Sequence, residues 1–142
     1  MTASVVSKTF EVVSSGEDDL VDITGDVRDA LAESRLAIGV ATVFVTATTA
    51  AVTTIEFEPG LAKDFPAMLA RAAPKKGVYY EHENRWHDGN GHSHVKASLV
   101  GPSLSVPFVG GELTLGEWQQ IVLVELDVRP RTRKVVVQLV GE

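Results

Sequence analysis

The stretch "HENRWHDGNGHSHVKAS", from His82 to Ser98, carries every histidine of the chain: His82, His87, His92 and His94, four imidazoles within thirteen positions. Imidazole binds metals in its neutral form and exchanges protons near neutral pH, so such crowding suggests a metal or anion site. If "HSHVK" enters a strand, the period of two puts His92, His94 and Lys96 on one face, about 6.6–7 Å between alternate residues. Two imidazoles there could reach one metal ion or one phosphate, and Lys96 would add positive charge toward an anion. The preceding "DGNG" is turn chemistry, because Asn and Gly accept positive φ, and it could fold His82 or His87 back toward that face. The competing reading is a solvated polar loop, with Lys96 an ordinary surface lysine.

A second constellation is "ELDVRPRTRK". Alternation would align Arg129, Arg131 and Arg133, whose guanidinium forks suit phosphate or carboxylate, so Arg129 and Arg131 join Lys96 as anion-binding candidates. Cationic side chains also guard exposed strand edges, and Glu125 and Asp127 lie close enough to pair with these arginines instead. Trp86 and Trp118 could stack on a ligand ring or simply pack. "VGGELTLG" lacks the strand-to-helix setting and the Lys-Ser/Thr of a phosphate loop. No Gly-x-Ser-x-Gly elbow accompanies the serines.

The elements that must position these groups read as follows. "SVVSKTFEVV" is a strand and "LVDIT" a short one; Thr24 then caps a helix over about 25–34. "GVATVFVTAT" is a buried strand, and "AAVTTIEFE" continues it after a kink. Pro59 to Ala73 is helical in two pieces, because Pro66 interrupts it and Asp64 can cap the second. "HVKASLV", "SLSVPF", "WQQIVLVELDV" and "RKVVVQLV" are strands between Gly and Pro turns. Along Ile121 to Val128, Ile121, Leu123, Glu125 and Asp127 share one face, and Val122, Val124, Leu126 and Val128 share the other. Strands flanking helical stretches, with consecutive strands at the C-terminal end, predict an α+β domain over residues 1–142.

Composition narrows the classes. The chain is 44% hydrophobic and 23% charged, ordinary for a globular domain. A net charge of −6 argues against a general nucleic-acid or anionic-membrane binder. With no cysteine, disulfides, thiolate chemistry and Cys-type zinc sites are excluded, and a metal would need His, Asp, Glu or water. The first ten residues lack a basic start and an apolar run, and the most apolar stretch, Leu36 to Val45, is too short for a bilayer, so the expectation is a cytoplasmic protein.

Three segments, "TTAAVTTIEFEPGLAKDF", "YYEHENRWHDGNGHSHVKASLVGPSLSVPF" and "LTLGEWQQIVLVELDVRPRTRKVVVQLVGE", resemble the YjbQ-like family of secondary thiamine-phosphate synthases, from about residue 5 to the end. The resemblance implies a β-sandwich of two mixed sheets with two to three short helices, assembled as a homotrimer with sites near subunit boundaries. It implies a weak activity joining a pyrimidine pyrophosphate to a thiazole phosphate, with release of pyrophosphate, at a histidine-centred metal or anion site. Carried over residue by residue, it selects Glu56, His82, His94, Lys96, Trp118 and Gln119, with Thr48 and Thr49 from the Thr-Thr-Ala segment. Three positions depart from the pattern: Ala47 stands where a His is usual, Ile55 where an Asn precedes Glu56, and Glu117 within Gly-Thr-Trp-Gln.

Together these readings make His94 and Glu56 the acid–base candidates and His82, His92 and His94 the candidate ligands of a divalent metal, with zinc favoured. Thr48, Thr49, Trp118 and Gln119 would line the pocket. Ala47 in place of an imidazole implies weak or partial metal occupancy. Three functions compete: a transferase for phosphorylated heterocycles, a non-catalytic binder of a small phosphorylated metabolite or metal, and a structural trimer without ligand. His82 and His94 are expected to share a pocket, with His92 in or beside it and His87 a bystander. A trimer is expected to form through strand contacts that use the apolar faces of 121–128.

Overall fold

The strand patterns resolve into two sheets that face each other across one apolar layer. A computed structural model describes residues 2–142. The elements are β1 (Ser4–Val13), β2 (Leu20–Asp22), α1 (Thr24–Ser34), β3 (Ile38–Val45), β4 (Ala50–Ile55) and α2 (Pro59–Ala72). They continue with α3 (Glu83–Trp86), α4 (Gly91–Val100), β5 (Ser103–Val109), β6 (Glu112–Leu113), β7 (Gln120–Glu125) and β8 (Thr132–Gly141). One sheet has the order β1-β8-β3-β5-β6 and the other β2-β7-β4. The α+β class holds. Among the described residues every pairing is antiparallel, so the sheets are not mixed, and there are four helices rather than two or three.

Between the sheets, Val43, Phe108, Val137 and Leu139 meet Val52, Ile121 and Leu123, and α1 closes the layer with Val27 and Leu31. The other face of the three-stranded sheet, Ala51, Val122, Val124 and Leu126, is covered by Leu69 of α2 and Ala97 of α4. Strand β7 is therefore buried on both faces, including the face that carries Glu125. Both faces are consumed inside the chain, so they are not available as the expected trimer contact. Gly39 and Gly141 sit opposite each other in the β3–β8 ladder, and a Cβ on either would lie 2.1 Å from a carbonyl oxygen of the other strand.

Two helix expectations change. Thr24 does not cap α1; the helix begins at Thr24, whose hydroxyl accepts from Ile121 N at 2.8 Å and ties α1 to β7. Helix α2 runs unbroken through Pro66, capped by the Glu58 carboxylate rather than divided at Asp64. Ala62, Phe65 and Leu69 seat this helix on the sheet, and that burial outweighs the one amide hydrogen Pro66 lacks. Among the described residues no helix is long and apolar enough to cross a membrane.

Candidate functional site

The largest correction concerns the histidine stretch. "HVKASLV" is not a strand: Gly91–Val100 is helix α4, docked on β4. Its buried residues are Gly91, His92, Ser93, Lys96 and Ala97, which follow the helical rather than the alternate spacing. At 100° per residue His92 and Lys96 share a face, while His94 lies about 200° from His92. The single face expected for His92, His94 and Lys96 does not exist.

The helix sends its two imidazoles to different neighbours. His92, 1% exposed, bonds Glu17 through Nε2 at 2.5 Å, and Lys75 closes on the same carboxylate at 2.8 Å. It belongs to a structural clamp between α4 and the β1–β2 loop, not to a ligand set with His94. Burial alone would raise the Glu17 carboxyl, but the bonds from Lys75 and His92 outweigh it and hold that pKa below its ordinary value. His94 instead stacks obliquely on His82, ring centroids 4.3 Å apart and planes tilted by 50°. That juxtaposition was expected and is present.

Local backbone chemistry brings His82 there. His82 precedes the single-turn helix α3, which His87 closes in the left-handed conformation at φ 54°; Gly89 follows at φ 70°. His87 is exposed. Gly91 lets the segment lie against α4, since a Cβ there would fall 2.4 Å from Tyr80 Cβ. The Gly89 amide donates to Glu83 Oε1, which draws the turn together and presents Asp88 to His82.

His82 Nε2 and Asp88 Oδ1 stand 3.7 Å apart, and both atoms are buried without a hydrogen-bond partner. Burial and the neighbouring His82 lower the pKa of His94, partly offset by the charges of Asp88 and Asp127, so the neutral imidazole is favoured. Asp127, 1% exposed, accepts from Arg131 Nε at 2.9 Å and from Thr49 Oγ1 at 3.2 Å. Burial opposes ionisation of Asp127, but those bonds, with the Val128 amide and the Arg131 charge, hold its pKa below the ordinary value.

The remaining candidates separate. Arg131 is engaged with Asp127, and Arg129 is exposed. Arg133 bonds both oxygens of the fully buried Glu125 and also Thr49 Oγ1 at 2.7 Å, so Thr49 is pinned while Thr48 is exposed. Glu56, Trp118 and Gln119 line a separate cleft of about 420 Å³. That cleft lies at the opposite end of β4 from Thr49, roughly 20 Å along the strand. Glu56 and His94 therefore do not form an acid–base pair within one chain. Lys96 is 2% exposed, and no carboxylate pairs with it among the described residues. Asn90 Oδ1 and Ser93 Oγ, on the same helix, are buried without partners.

Asp88 and Asn90 escape a reading of the sequence because turn chemistry alone accounts for "DGNG". His82, His94 and Asp88 supply two imidazoles and a carboxylate, a donor set that suits a divalent ion. The 3.7 Å between His82 Nε2 and Asp88 Oδ1 is a span that two ligands at about 2.0–2.1 Å from one ion can bridge. Among the described residues no three such side chains stand converged on one point.

The comparisons agree with this architecture. The family model described as UPF0047 protein YjbQ-like matches residues 8–142. The UPF0047 protein YugU of Bacillus subtilis is 35% identical over 136 residues, covering 94% of this chain and 98% of its own. The UPF0047 protein MJ1081 of Methanocaldococcus jannaschii is 33% identical over 134 residues, covering 94% and 93%. A crystal structure of a YbjQ-like protein of unknown function from Sulfolobus solfataricus P2 superposes with a TM-score of 0.91 at 30% identity, covering 99% of this chain and all of that one. The match over nearly the whole length, in sequence and in fold, makes this chain a member of the YjbQ-like UPF0047 family.

Proposed function

We propose that His82, His94 and Asp88 hold a divalent metal ion, zinc in preference, and that the chain uses this centre to bind the phosphate of a small phosphorylated metabolite. The observation that carries the reading is the pair of buried, unpartnered atoms His82 Nε2 and Asp88 Oδ1, facing each other beside His94. Such atoms are costly to bury empty-handed, and a cation between them satisfies both. A neutral His94 is the form that ligates a metal. A bound ion would supply positive charge to phosphate oxygens in a site otherwise surrounded by Asp88 and Asp127.

Joining a pyrimidine pyrophosphate to a thiazole phosphate is the enzymatic version of this reading and rests on the family resemblance. Binding of a phosphorylated metabolite without turnover is the version that the side-chain geometry supports, since Glu56 is remote from His94. Calorimetric titration of the metal-free chain with zinc, then with inorganic phosphate, tests the centre. Binding lost in His82→Ala and Asp88→Asn but kept in His92→Ala supports it; equal binding in all removes it. Incubation with the two thiamine precursors decides between transfer and binding.

A further inference from the structure

The cleft that holds Glu56 and Trp118 lies away from the histidines, and the proposed metal centre makes no use of it. Its wall is the turn before β7. The Gly116 amide donates to Gln119 Oε1 at 3.0 Å, and the Gln119 amide donates to the Gly116 carbonyl at 3.1 Å. Gln119 Nε2 then donates to Thr54 Oγ1 at 3.0 Å. These bonds tie the turn to β4 and fix the backbone that carries Trp118. The Trp118 ring is nevertheless 66% exposed, against the usual fate of an indole. Two carboxylates border it. Ile55 pairs with Gln120, so Glu56 follows alongside the turn, and Glu117 adjoins Trp118 within it. Among the described residues neither carboxylate forms an ion pair.

The other tryptophan shows what such a ring attracts. Arg85 stands over Trp86, its guanidinium carbon 5.0 Å from the ring centroid. Among the described residues Trp118 carries no such cation. A bare π face between two unpaired carboxylates thus opens onto about 420 Å³, a volume ordinary for small-ligand sites. Thr54 and Gln119 also line an adjoining cleft of about 300 Å³, where Ser103 and Ser105 offer hydroxyls and no residue is charged. We infer that this cleft is a second ligand site, built for a small, flat organic cation. The ring stacks on Trp118, the positive charge meets Glu56 and Glu117, and a neutral polar substituent reaches the hydroxyls. The same carboxylates repel phosphate, so the ligand of the histidine centre is not the occupant. Glu117 stands where the YjbQ-like pattern has Thr, so one of the two charges is this chain's own and sets its preference for a cation.

The experiment follows the indole N–H signals of the two tryptophans by NMR, with Trp86→Phe assigning which is Trp118. The probe is 1-methylnicotinamide, a flat cation with a carboxamide; nicotinamide, the same ring without the charge, is the control. The expected result is a saturable shift of the Trp118 signal by the cation. Nicotinamide on the wild type, and the cation on Glu117→Gln, should each bind about threefold or more weakly. Glu117 is exposed and makes no contact that the fold needs, so this variant stays folded. A Trp118 signal that the cation leaves unmoved overturns the inference. So does equal binding of nicotinamide, or undiminished binding to Glu117→Gln. Zinc titration reads the histidine centre separately, so either site can fail without the other.

Discussion

The rings of His82 and His94 lie 4.3 Å apart, whereas His92, two residues before His94 on α4, bonds Glu17 of the β1–β2 loop. One helix thus divides its histidines between a stacked imidazole pair and a structural clamp. The division yields a contrast between variants. His94→Ala should abolish zinc binding with little change in thermal stability, while His92→Ala should keep zinc binding and lower stability by about 1–3 kcal/mol, because Glu17 loses a buried partner. Calorimetry and thermal unfolding of the two variants measure this, and matching profiles would contradict it.

Removing Arg133 should be severe. Its guanidinium bonds both oxygens of Glu125, a residue with no exposure, and reaches Thr49. Arg133→Ala leaves a buried carboxylate that only Ser14 and the Asp127 amide still contact, so the expected loss is about 3–5 kcal/mol. Denaturant unfolding reads it; a loss below about 1 kcal/mol would show that the pair is not structural.

Acid should weaken the fold through Glu17 and Asp127. Both carboxyls have folded-state pKa values below their ordinary 4.5 and 3.8. Their contribution is complete above those ordinary values and disappears as pH falls through the folded ones, because the unfolded chain takes up protons first. Melting temperature should therefore fall as pH drops below about 4.5, and Arg131→Met should shrink the part due to Asp127. A melting temperature flat from pH 6 to pH 3 would contradict the assignment.

Gly91→Ala should damage the site from outside its ligands. The added Cβ would meet Tyr80 Cβ at 2.4 Å, so the segment carrying His82 must move off α4. Overpacking of this kind costs about 1–3 kcal/mol. Zinc affinity should fall with it, although no ligand has changed. Unaltered zinc affinity in a folded Gly91→Ala protein would show that the Tyr80 contact does not position His82.

Much of this was legible in the sequence. Period-two patterns over Ser4–Val13 and Ile121–Glu125 gave strands, and the two-faced apolar alternation of β7 follows from its place between two layers. The pairing of His82 with His94 was legible from the family pattern. Helix α4 was not, because its buried side is polar: His92, Ser93 and Lys96 occupy positions where apolar residues would have announced a helix. Reading it as a strand grouped His92 with His94 and hid the link to Glu17, which is 75 residues away and carries no local signal. Asp88 is hidden differently, inside a turn that its Gly and Asn residues already explain.

The central claim is that His82, His94 and Asp88 form one cation centre. Zinc titration of metal-free wild type and Asp88→Asn, followed by X-ray absorption of the loaded wild type, tests it most directly. The account predicts stoichiometric binding that Asp88→Asn weakens by about 10-fold or more, and a first shell of nitrogen and oxygen at about 2.0–2.1 Å that contains two imidazoles. Zinc that binds equally well to Asp88→Asn, or a first shell with no imidazole, would contradict it.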